Sequence, residues 1–153
     1  MELILSAAPA AELETGALVA VCFEEEMPGF LGEEARAWLQ GVKESGEFEA
    51  KALSTILWHG PAGLKAKRLL VVGGGAKEKF DTAQMRKVAG VAARMLKGKG
   101  IGDFAFRVEG DLAAEGMLEA LAEGVIMGDF EPNKHQTDPK KHAKRVENVR
   151  FSV

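Results

Sequence analysis

The chain has 153 residues, with 20 Lys and Arg against 23 Asp and Glu, 46% hydrophobic residues and 28% charged ones. That is the composition of one globular domain with enough apolar side chains for a core, and it excludes wholesale disorder. A formal net charge of −3 excludes a generally basic nucleic-acid binder, and the longest apolar run, Ala17 to Phe23, is far short of the ~20 residues a membrane helix needs. The first residues, Met1-Glu2-Leu3-Ile4-Leu5, lack the basic start and long apolar stretch of a secretory signal. The single cysteine, Cys22, cannot form an internal disulfide, which points to the cytoplasm.

Hydrophobic period maps the elements in chain order. Glu2 to Ser6 reads as a short first strand. Ala17 to Phe23 is apolar throughout, the pattern of a strand covered on both faces, and the Glu24-Glu25-Glu26 and Met27-Pro28-Gly29 segments stop it. Leu31, Ala35, Trp38, Leu39 and Val42 follow helical spacing, which predicts an amphipathic helix over Gly32 to Val42. Lys51 to His59 is rich in β-branched and bulky residues and ends at Gly60-Pro61, so it reads as a strand.

Arg68 to Val72 is a short apolar strand followed by Gly73-Gly74-Gly75. Asp81 sits three residues before Gln84, as in a capping box, and starts a helix reaching Lys97 with Met85, Val88, Ala89, Ala92, Met95 and Leu96 in one stripe. Gly98 and Gly100 bracket its end. Phe104 to Val108 resumes as a strand, so Arg68 to Val108 forms a βαβ unit with parallel strands. Asp111 is placed to cap another helix, with Leu118, Leu121, Ala122 and Val125 on one face. Gly124 and Gly128, four apart on it, leave room for a neighbouring backbone. Glu131 to Arg145, polar and broken by Pro132 and Pro139, reads as a loop. Val146 to Val153 alternates as a half-buried strand does. The whole is one α/β domain, a mixed, partly parallel sheet flanked by helices.

Few residues suggest chemistry. Gly73-Gly74-Gly75 lies between strand and helix, where backbone amides can cradle a phosphate. The dinucleotide pattern fails because Glu78 stands where its third glycine belongs, and no Gly-Lys-Ser or Gly-Lys-Thr follows. A tight turn is the favoured reading. His59, His135 and His142 have no metal spacing, and the last two lie in a lysine-rich stretch that repels a cation. Cys22 reads as a small buried hydrophobe, and Glu24-Glu25-Glu26 as a solvated turn rather than a metal site. Between Glu24 and Glu49 there are eight acids and two bases; from Lys134 to Arg150 there are six bases and two acids. The basic stretch suits a solvated loop better than a nucleic-acid contact, since no aromatic precedes Phe151 to stack on a base. No residue is assigned a catalytic, cofactor-binding or metal-binding role.

With the elements in order, a resemblance emerges. Lys65 to Gly75, then Glu78-Lys79-Phe80-Asp81 and Arg86-Lys87-Val88-Ala89-Gly90, resemble the N-terminal domain of the leucyl aminopeptidase (cytosol aminopeptidase) family. Ala120 to Phe130 is similar to that domain's last helix, and Lys140-Lys141 with Val146 to Phe151 to its closing loop and strand. Gly74 departs from the pattern, which more often has a leucine between two glycines. The resemblance implies a macro-domain-like, three-layer α/β domain over 1–153 that is itself non-catalytic. It implies a separate catalytic domain with two divalent metals, zinc or manganese, and a homohexameric full-length protein that removes N-terminal amino acids from peptides. The family's Asn-Thr-Asp-Ala-Glu-Gly-Arg metal and catalytic segment is nowhere in this sequence. Two other readings follow: a free-standing nucleotide or ADP-ribose module using Gly73 to Gly75, and a DNA-contacting domain using Lys134 to Arg145.

Overall fold

The computed structural model describes residues 1–130 and 145–153. Among them, six strands form one sheet: β1 (Glu2–Ser6), β2 (Ala17–Phe23), β3 (Thr55–His59), β4 (Arg68–Gly75), β5 (Asp103–Arg107) and β6 (Asn148–Ser152), in the spatial order β1-β6-β5-β2-β4-β3. All neighbours are parallel except the edge strand β3, which runs antiparallel to β4. Among the described residues, three α-helices cover the faces: α1 (Glu33–Glu44), α2 (Thr82–Gly98) and α3 (Glu115–Asp129).

Period-two burial splits the sheet into two cores. Val19, Val21, Leu70, Val72, Phe104 and Phe106 pack on α2 and α3, whereas Leu18, Ala20, Cys22, Leu69, Val71 and Ala105 pack on the α1 side with Ala35 and Leu39. Every residue of β2 is buried, as its unbroken apolar run requires. The result is a three-layer α/β sandwich, the architecture that the alternation of strand and helix patterns implies.

Helix α2 starts where the sequence places it. Asp81 is the N-cap, and its Oδ1 accepts the Gln84 N–H at 2.9 Å. Helix α3 lies directly on α2: a Cβ at Gly124 would collide with the Arg86 carbonyl oxygen, and one at Gly128 would lie 2.8 Å from the Ala93 Cβ. The two glycines are therefore the points of closest approach. The strand-helix-strand unit from Arg68 is present with parallel strands, but β4 and β5 are not neighbours; β2 lies between them and pairs with both.

Several boundaries differ from the sequence reading, each for a tertiary reason. Residues 51–54 do not join β3, which begins at Thr55; Ala50 and Leu53 instead take left-handed φ values of 61° and 67°. Gly73-Gly74-Gly75 is not a turn: β4 runs through all three. A Cβ at Gly73 would collide with the Lys51 carbonyl oxygen, so glycine lets residues 50–54 cross against the strand. Asp111 does not cap α3. It lies in a 3-10 turn, Gly110–Ala113, and the N-cap position belongs to Ala114, which has no side chain to offer. Helix α1 runs two residues past Val42, to Glu44. In β6, Val149 and Phe151 are buried as expected; Ser152 is buried too, because β6 is an inner strand between β1 and β5, and Val153, past the strand's end, is exposed.

Candidate functional site

The sheet directs attention to the carboxyl ends of β2 and β5. These strands are adjacent and parallel. The chain leaves β2 toward α1 on one face and leaves β5 toward α3 on the other. Neighbouring strands whose connections depart to opposite faces open a crevice between them, the usual ligand position in open α/β sheets. A cavity of about 390 Å³ lies there.

Its floor is Val21 and Phe23 from β2 and Arg107 from β5. Phe23 meets Phe80 edge to face, with ring centroids 5.1 Å apart. Met27 and Phe30 come from the loop after β2, Leu112 from the turn after β5 and Met117 from the start of α3; all are partly exposed. Arg107 donates from Nε to Glu109 Oε1 at 3.4 Å and from a terminal nitrogen to Ser152 Oγ at 3.2 Å. Lys77 pairs with Glu26 at 2.5 Å. The hydrogen bond and charge of Glu26, followed by the charges of Asp111 and Glu25, hold the Lys77 ammonium above its ordinary pKa.

The residues singled out in the sequence are placed differently. The Gly73 N–H donates to Ser54 O at 2.7 Å and the Gly75 N–H to Ala50 O at 2.9 Å. Both amides are thus taken by backbone carbonyls of the 50–54 segment rather than left open to a phosphate. Cys22 is fully buried, its thiol directed at the carbonyl oxygens of Phe23 and Glu26. Burial pushes that thiol up, with Lys43 opposing. Glu24, Glu25 and Glu26 are exposed in a turn; Glu25 accepts the Lys77 N–H at 3.1 Å. His59 is exposed at the end of β3. His135, His142 and most of the basic stretch from Lys134 to Arg145 lie outside the described residues. Among the described residues, no three His, Cys, Asp or Glu side chains are grouped to hold a metal ion, and no helix is long and apolar enough to cross a membrane.

Sequence reasoning missed the residues of the crevice. Phe23 reads only as the end of the apolar run and Asp111 as a cap, and Met117 is not singled out. One signal was present: Arg107 is a charge inside the otherwise apolar strand Phe104 to Val108. At the amino ends of β2 and β5 a more open hollow of about 780 Å³ carries Lys65, Lys67, Arg68 and Lys99. There Lys65 is paired with Glu12 at 2.8 Å and Arg68 donates to Gly16 O at 3.0 Å.

Comparison with known proteins places this architecture. The chain is 33% identical over 141 residues to a probable cytosol aminopeptidase of Solibacter usitatus (strain Ellin6076), an alignment covering 92% of this chain and 28% of that protein. Among solved structures, a tomato leucine aminopeptidase mutant superposes with a TM-score of 0.75 at 18% identity, covering 100% of this chain and 32% of the other. The macrodomain of Thermus aquaticus DarG superposes with a TM-score of 0.62 at 10% identity, covering 99% and 97%. These two structural likenesses carry the fold, a macro-domain-like α/β sandwich. The chain thus spans less than a third of the length of the aminopeptidases it matches. The model of the cytosol aminopeptidase family's N-terminal domain matches residues 19–139, and the chain belongs to that family as its N-terminal domain.

Proposed function

We propose that this chain serves as the non-catalytic N-terminal domain of a metal-dependent aminopeptidase that removes N-terminal amino acids from peptides in the cytoplasm. The observation that carries this reading is the match to an N-terminal domain over residues 19–139, in a chain spanning 28% of its Solibacter relative. Hydrolysis then belongs to the remainder of such a protein, together with two divalent metals, zinc or manganese. A two-metal hydrolase needs several carboxylates converging so that the metals sit about 3.5–4 Å apart. The role left to this chain is to pack beside the catalytic domain and to support assembly, a hexamer in the family's pattern. Leu5, Ile126, Met127 and Phe130, exposed by 53% or more, supply apolar surface for such packing.

The purified chain should show no hydrolysis of leucine p-nitroanilide above buffer, with or without manganese, whereas a protein joining it to the catalytic domain should be active. Metal-dependent turnover that follows this chain through purification and disappears with chelator would overturn the reading.

A further inference from the structure

We propose that the crevice between the carboxyl ends of β2 and β5 binds a zwitterionic small molecule with an apolar side chain, an apolar amino acid or dipeptide. The position is where the chain departs from neighbouring parallel strands to opposite faces, and the volume of about 390 Å³ is that of a small-ligand pocket. Met27, Phe30, Phe80, Leu112 and Met117 converge on it from four separate segments, yet each stays partly exposed. An apolar side chain seated among them removes that surface from water.

The charged groups specify the rest of the ligand. A guanidinium carries five N–H donors, and among the described residues Arg107 directs its hydrogen bonds to Glu109 and Ser152. The remaining donors are available to a carboxylate, the anion a guanidinium fork fits best. Asp111 lines the same cavity, and among the described residues its carboxylate reaches Lys77 through its charge but makes no side-chain hydrogen bond or salt bridge. It is the carboxylate available to an ammonium group. A polyphosphate is disfavoured for two reasons. The lining carboxylates Glu26, Glu109 and Asp111 outnumber Lys77 and Arg107, and Lys77 is already held by Glu26. The strand-end amides of Gly73 and Gly75 are also taken by backbone carbonyls. A ligand with both signs and an apolar body meets all the groups present without breaking an existing pair.

The inference is independent of the aminopeptidase reading and is tested on this chain alone by amide NMR titration. The probes are L-leucine and leucylleucine, with N-acetylleucine and leucinamide as versions lacking the ammonium or the carboxylate, and ADP-ribose. L-leucine or leucylleucine should shift resonances of residues 26–30, 77–80 and 107–112 in a saturable manner, and N-acetylleucine and leucinamide should bind about tenfold more weakly. Asp111→Asn, at an exposed position, should weaken L-leucine and leucinamide by a similar factor while leaving the affinity for N-acetylleucine and the Tm unchanged. Arg107→Lys should weaken N-acetylleucine as well as L-leucine. The proposal is overturned if no zwitterion shifts these resonances, if the singly charged versions bind equally well, or if ADP-ribose alone binds there.

Discussion

Lys97, on the last turn of α2, donates a 2.6 Å hydrogen bond from Nζ to the carbonyl oxygen of Asp129 at the end of α3. The Asp129 carboxylate lies 3.5 Å from the same ammonium, accepts the Val146 N–H at 3.0 Å and faces Arg145 at 3.4 Å. Lys97 and Asp129 are about 95% buried. One carboxylate therefore ties the ends of both helices to the chain entering β6. Asp129→Ala strips the Val146 amide of its acceptor and removes the Asp129 carboxylate from the Lys97 ammonium. We expect a loss of about 3 kcal/mol in chemical denaturation, with Asp129→Asn losing less because it keeps an acceptor.

The same site sets an acid limit. Burial by itself pushes the Asp129 carboxyl up, but the Val146 amide, Lys97 and Arg145 together outweigh it and hold the group below its ordinary value of 3.8. A carboxyl depressed in the folded state stabilises the fold above its unfolded pKa. That contribution is lost as pH falls through the lower, folded value. Wild-type stability should decline below about pH 4, and Asp129→Asn should flatten that decline. An unchanged pH profile in the variant would contradict this.

The glycines divide by what a methyl group would meet. Gly124→Ala drives a Cβ into the Arg86 carbonyl and forces α3 off α2, so thermal unfolding should show a loss of about 1–3 kcal/mol. Gly41→Ala, on α1 with nothing within 4 Å, should gain about 0.5–1 kcal/mol from helix propensity alone.

Cys22 is fully buried and its thiol is pushed up by that burial. Labelling of the native protein by a thiol reagent should be slow and should accelerate on adding denaturant. Cys22→Ser should cost about 1 kcal/mol, near the lower end for a buried hydroxyl, because the carbonyls of Phe23 and Glu26 are within reach as acceptors.

Ile126 and Met127 are exposed by 53% and 62% on α3. Ile126→Glu with Met127→Glu should leave the stability of this chain within about 0.5 kcal/mol, the usual range for surface changes. If these residues pack against the catalytic domain, the same pair should weaken assembly of the whole protein in sedimentation.

Much of the fold was legible in the sequence because burial imposes a period. The unbroken apolar run of β2 marked a strand covered on both faces, the Met85 to Leu96 stripe marked α2, and Asp81 with Gln84 marked its start. Gly124 and Gly128 marked the contact between helices. Tertiary structure decided what depends on segments far apart in the chain. Gly73 to Gly75 looks like a turn until residues 50–54 cross against it and take its amides, and β4 and β5 look adjacent until β2 pairs between them. The crevice was the least legible part. Its residues come from the ends of β2 and β5, the loops beyond them, the segment between β4 and α2 and the start of α3, each ordinary in its own place, and only the assembled sheet brings Arg107, Asp111 and the Phe23–Phe80 pair around one cavity.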